Sequence, residues 1–96
     1  MDIQTGVMGI KQVLDEREKT HGSFAVHSEI SQSLKSCLWH REGWLRCSTL
    51  QREALEMILH KVARIIAGKP NHADHWQDIA GYATLVVNYL EKREGV

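Results

Sequence analysis

Proline is nearly absent from this chain. A single one, Pro70, occurs in 96 residues, beside 43% apolar residues, and this balance excludes a disordered, linker-like chain. Cysteine is scarce as well. Cys37 and Cys47 form no C-x-x-C pair, and no histidine or cysteine pair at a recognised ligand spacing is linked to another such pair, so free thiols are expected and a zinc site is not. There is no excess charge of either sign. Lysine plus arginine and aspartate plus glutamate both number 12, which removes any electrostatic reason for general nucleic-acid binding. No apolar run approaches the roughly 18 residues of a membrane span. The opening "MDIQTGVMGI" carries an acid and no basic segment, so a secretory leader is not expected and the cytoplasm is the expected location.

What is present reads as one domain over residues 1–96 with a modest core. The first helix is expected over 7–19, where Val7, Ile10, Val13 and Leu14 recur at helical spacing. Gly22 in "THGSF" breaks it. A second helix covers 24–40, and "REGWLRC" reads as a loop. The third begins with a capping box, Ser48 to Gln51, and runs to Ala67, with Gly68 and Pro70 ending it. The fourth starts near Ala73, with Asn71 as N-cap, and continues to about Arg93. The short "GKPNH" connection makes the last two helices an antiparallel pair. The expected fold is therefore all-α: a four-helix bundle with a helix 3/helix 4 hairpin. A homo-oligomer is expected to cover the remaining apolar faces. Trp39 and Trp44, beside Arg41 and Arg46, fit such a subunit interface.

The chemistry concentrates in the last two helices. At about 100° per residue, Asp74 and Asp78 continue the stripe of Tyr82, Leu85 and Tyr89 and stand apart from polar Gln77, Thr84 and Asn88. Gly81 beside that stripe costs helix stability, about 1 kcal/mol against alanine, and is expected to admit a close backbone or a ligand. Carboxylates on a packing face need partners. Lys61 and Arg64 on the preceding helix come level with them when the hairpin folds, while Glu53, Glu56 and His60 form an adjacent polar strip. Two readings stay open. In one, these charges only fix helix packing. In the other, Glu53, Glu56 and the aspartates hold Mg²⁺ while Lys61 and Arg64 hold phosphate. His21, next to Gly22, and His75, beside Trp76, are further candidates, each also readable as a turn or first-turn structural residue.

Two resemblances bear on these residues. "KVARIIAG" followed by "HADHWQDIAGYATL", with "LDEREKTHGSF" upstream, resembles a family of small phage- and prophage-encoded proteins of unknown function. That likeness implies an accessory role in a host cytoplasm. The chain is more loosely similar to the all-α, MazG-like nucleoside triphosphate pyrophosphatases. In those enzymes an E-x-x-E and an E-x-x-D element bind Mg²⁺. "EALE" supplies Glu53 and Glu56, whereas "HWQD" matches only at Asp78, with His75 where a glutamate is expected and Asp74 as a substitute. This likeness implies a nucleotide ligand, Mg²⁺ and an oligomer. Tyr82, on the stripe that the aspartates continue, is a further candidate. No nucleophilic catalytic residue can be named. The expectation is a nucleotide-binding or pyrophosphohydrolase protein; the alternative is a non-enzymatic interaction protein in which the charges are structural.

Overall fold

In the computed structural model, residues 3–95 are described, with side chains for 9–92. Five helices follow one another: α1 (Ile3–His21), α2 (Phe24–Trp39), α3 (Glu42–Arg46), α4 (Thr49–Ala67) and α5 (Ala73–Gly95). There is no strand among the described residues. The all-α expectation stands, with differences in detail. The "REGWLRC" loop contains the short α3. The first helix is longer than its apolar pattern at both ends. The side chain of Val7 lies outside the described set.

Local sequence accounts for most boundaries. Gly22 stops α1 because its φ of 80° is a left-handed conformation open to glycine. Its N–H closes on the Glu18 carbonyl at 2.8 Å. Ser23 then caps α2 by accepting from the Val26 N–H. Both halves of the expected capping box start α4. The Gln51 N–H donates to Ser48 Oγ at 3.2 Å, and the Ser48 N–H donates to Gln51 Oε1 at 2.8 Å. Gly68 caps the end of α4. At α5 the expected N-cap is displaced: the helix begins at Ala73, so His72 precedes it and Asn71 lies one residue further out. Trp76 Nε1 donates to the Pro70 carbonyl at 2.7 Å and pins the connection.

Helices α4 and α5 pack against each other most extensively, and α2 covers α4. The α4/α5 pair is antiparallel: Lys61 meets Asp78 near the turn, while Ala54 and Ile58 share a groove with Val86 and Ala83 further away. The core between them is small. Ala54, Ala63 and Ile65 are its buried apolar residues, joined by His27, Ser31 and His75. The fourth-bundle-helix role expected for α1 is not realised. Every side chain from Gly9 to Lys19 is exposed, and α1 meets α2 and α4 only sparsely. The molecule is accordingly elongated, 54 × 30 × 27 Å. None of its described helices is long and apolar enough to cross a membrane.

Candidate functional site

Two glycines set the geometry of the α1/α4 joint. A β-carbon on Gly22 would strike the Ala67 carbonyl, and one on Gly68 would strike the Thr20 carbonyl and the His21 backbone. Their absence lets the two helix ends meet back to back. The Lys69 N–H donates to the Thr20 carbonyl at 3.0 Å across the joint. This contact brings the end of α1 over the α4–α5 turn and gathers five of the six histidines at the turn end of the α4/α5 pair.

His75 is the centre of that gathering. It is 1% exposed, the largest fully buried side chain. Its Nε2 lies 3.2 Å from His21 Nδ1, and the His72 ring sits at a 4.8 Å centroid distance. One imidazole of the His21–His75 pair must donate and the other accept, so both cannot be cationic. Burial first, then the Arg64 charge, pushes His21 down to about 4. Burial, then His72, lowers His75. A second pair lies alongside. His27, on α2, stands edge-on to His60 at 4.5 Å and donates from Nε2 to the His60 carbonyl at 3.4 Å. Burial, followed by Arg64, takes His60 to about 4. Burial also lowers His27, against the opposing hydrogen bond to His60.

The charged residues divide. Lys61 Nζ binds Asp78 Oδ2 at 2.8 Å, with the lysine side chain 12% and the aspartate 47% exposed. The hydrogen bond from Lys61 holds the Asp78 carboxyl below its usual range. Asp74 instead faces solvent and reaches His72 at 3.5 Å. Both aspartates were expected on the packing stripe. The side of α5 that packs is rotated from that stripe: His75, Ile79, Tyr82, Val86 and Tyr89 are the shielded positions, whereas Leu85 is exposed. Asp78 is thus at an edge and Asp74 beyond it. Gly81 has open space around it, so no part of this chain makes the close approach expected there.

The remaining site candidates do not converge. Glu56 accepts from Trp39 Nε1 at 2.7 Å, and Glu53 is exposed. Arg52 lies over Trp44, with its guanidinium carbon 5.8 Å from the ring, and donates to the Trp44 and Leu45 carbonyls. The two tryptophans expected at a subunit interface therefore have partners within the chain. Cys37 and Cys47 are free thiols. Among the described residues, no three histidine, cysteine, aspartate or glutamate side chains are grouped to hold a metal ion. Glu53, Glu56, Asp74 and Asp78 are therefore not brought together as one set among the described residues.

Arg64 has a different setting. It is half-buried, and no carboxylate lies within ion-pair distance of it among the described residues. Burial and then the Arg17 charge lower its pKa, with Asp78 opposing. It lines a cleft of about 320 Å³ with Arg17, His21, Gly22, Phe24, His27, Leu14 and Glu18. Sequence reasoning singled out Arg64 and His21 but missed Arg17 and His27. The signal for Arg17 was available: its four-residue spacing from His21 puts both on one side of α1. His27 had none, since its burial depends on α4 lying across α2.

No curated protein and no solved structure matches the chain. Residues 9–89 match the family described as a domain of unknown function, DUF6378. That span takes in Arg17, His21, Arg64 and most of the α4–α5 hairpin, and the chain belongs to this family.

Proposed function

We propose that the protein binds a small phosphorylated ligand of the nucleotide class in the cleft between α1, α2 and α4. The observation that carries this is Arg64. A half-buried guanidinium that faces a second arginine and lacks a carboxylate partner among the described residues is an electrostatically incomplete arrangement. A phosphate completes it, because a guanidinium fork matches phosphate oxygens in shape and charge. The N-terminus of α2, at Phe24, opens on the same cleft and favours an anion. The ring of Phe24, 79% exposed, offers a face on which a planar base can stack. The volume is in the range of small-ligand sites. Glu18 offsets part of the positive charge, so a net anionic group near Arg17 and Arg64 is favoured over a polyanion spread across the whole cleft.

This reading favours binding over turnover. The dispersed carboxylates support the non-enzymatic alternative more than a preformed Mg²⁺-dependent pyrophosphohydrolase centre. The protein would then act as a ligand-responsive accessory or interaction protein. The phage-like "DHWQDIAGY" segment supports placing it in an infected or lysogenic host cell, and the exposed apolar faces support a homo-oligomer.

Calorimetric titration with inorganic pyrophosphate and a panel of nucleoside triphosphates, each with and without Mg²⁺, tests the proposal. Binding is expected in both conditions, and Arg64→Gln should weaken it by roughly 10- to 100-fold, the value of one or two charge-assisted hydrogen bonds. No heat of binding from any member of the panel overturns the reading. Mg²⁺-dependent pyrophosphate release that a folded Asp78→Asn protein lacks would replace it with the hydrolase.

A further inference from the structure

The accessible surface of the chain is 7274 Å², against about 5,600 Å² for a compact monomer of 11.0 kDa. The radius of gyration, 17.1 Å, exceeds the about 12.5 Å expected for this length. Both excesses have one structural source. Helix α1 rises about 28 Å over its 19 residues, and it projects from the body formed by α2, α4 and α5. Its outer part carries Ile10, Val13 and Leu14, 63%, 56% and 60% exposed. At about 100° per residue, Ile10 and Leu14 lie on the same side as Arg17 and His21, the side that faces the cleft where α1 meets the body.

The far end of the α4/α5 hairpin carries an apolar groove. A groove of about 360 Å³ runs between the two helices, lined by Cys47, Ala54, Leu55, Ile58, Ala83 and Val86. The part of α1 beyond the joint spans about 20 Å, enough to lie along the groove from the level of Cys47 to that of Ile58.

We infer that α1 is an exchanged arm: its Ile10–Val13–Leu14 ridge seats in the α4/α5 groove of a second copy, which returns its own arm in the same way. The two-fold exchange covers both unpartnered faces at once and leaves no open end for further growth. The area fits. An exchange that brought each chain to the surface of a compact monomer would bury about 3,300 Å² in total, the size of an obligate homodimer interface. The arm also sets what closes the ligand cleft. Leu14 is both a ridge residue and a cleft wall, so the partner's body abuts the cleft mouth. That last consequence rests on the ligand reading proposed above; the arm exchange itself does not.

Light scattering after size exclusion, followed by site-directed oxidation, tests the exchange. The wild-type chain is expected at twice 11.0 kDa, and Leu14→Asp and Ala83→Arg, altering ridge and groove separately, should each give monomers. Circular dichroism checks that each monomeric variant keeps its helices. In a Cys37→Ser background, Val13→Cys should form an intermolecular disulfide to the native Cys47, identified by peptide mass. A monomeric wild type overturns the proposal, as does a dimer indifferent to both substitutions. A disulfide joining the two introduced cysteines overturns it in favour of arm-to-arm pairing. With inorganic pyrophosphate as probe, Ala83→Arg, which lies outside the cleft, should bind at least several-fold more weakly than wild type. Unchanged binding removes the cleft consequence and leaves the exchange standing. No binding even by wild type removes the ligand reading alone, because the mass and disulfide readouts contain no ligand.

Discussion

The two ends of the α4/α5 hairpin are built on different principles. The far end is held by neighbours in sequence: Ser48 and Gln51 cap each other, and Arg52 reaches back to the carbonyls of Trp44 and Leu45. The turn end is held by residues far apart in the chain. His21 meets His75 across 54 positions, His27 meets the His60 carbonyl across 33, and Lys61 meets Asp78. The far end presents an apolar groove, while the turn end presents arginines and uncharged imidazoles. Local contacts can be made one helix at a time. The turn end exists only when α1, α2, α4 and α5 are all in place, so it concentrates both the chemistry and the vulnerability.

The glycine joint is where that contrast breaks most sharply. Gly22→Ala combines a left-handed φ with a collision against Ala67, and it should cost about 3 kcal/mol in urea unfolding. Gly81→Ala, with open space around a helical position, should instead stabilise the protein by about 1 kcal/mol. Equal effects at these two glycines would remove the joint as the organising contact.

Acid should act on the turn end. His21 and His60 are held near 4 when folded, against 6.5 unfolded, and His27 and His75 shift the same way. Below pH 6.5 the unfolded chain takes up protons that the folded chain refuses, so stability is full above that value and falls as pH drops towards 4. The melting temperature should decline on the order of 10 °C over this window. His75→Phe should flatten the decline if it folds, and His21→Asn should do so with less risk to packing. A melting temperature constant from pH 7 to 4.5 would contradict the buried neutral pairs.

At the far end, Ser48→Ala should cost about 1 kcal/mol and show no dependence on pH in this range. The smallest effect separates the two aspartates. Asp78→Asn leaves the shielded Lys61 ammonium without its partner and should lower the melting temperature measurably, whereas Asp74→Asn, at an exposed pair with His72, should leave it nearly unchanged. Equal shifts would mean that the Lys61–Asp78 pair is no more than a surface contact.

Legibility followed the same division. Helix starts and stops were readable from local signals at Gly22, Ser48 and Gly68, while the Asn71 signal fell one residue short of the start of α5. Short α3 was missed because five residues carry no periodic pattern. The Lys61–Asp78 pairing was readable because a short turn fixes which residues of a hairpin come level. The face of α5 was misjudged because two tyrosines, a leucine and an assumption of apolar packing pointed to one stripe. The structure buries a histidine in the first turn of α5 and leaves Leu85 in solvent. His60, readable as part of a wet strip, packs edge-on to His27 instead.

By itself the sequence determined an all-helical chain, the boundaries of its main helices and the antiparallel turn, because propensity, caps and short connections act over a few residues. Only tertiary structure decided that α1 stands away from the body, that the four carboxylates are dispersed, and that two arginines and a set of uncharged histidines meet around one cleft. Those outcomes depend on the angle at which two glycine-bearing helix ends touch, and on which polar groups lose water together when they do. Neither quantity is written in any single segment of the chain.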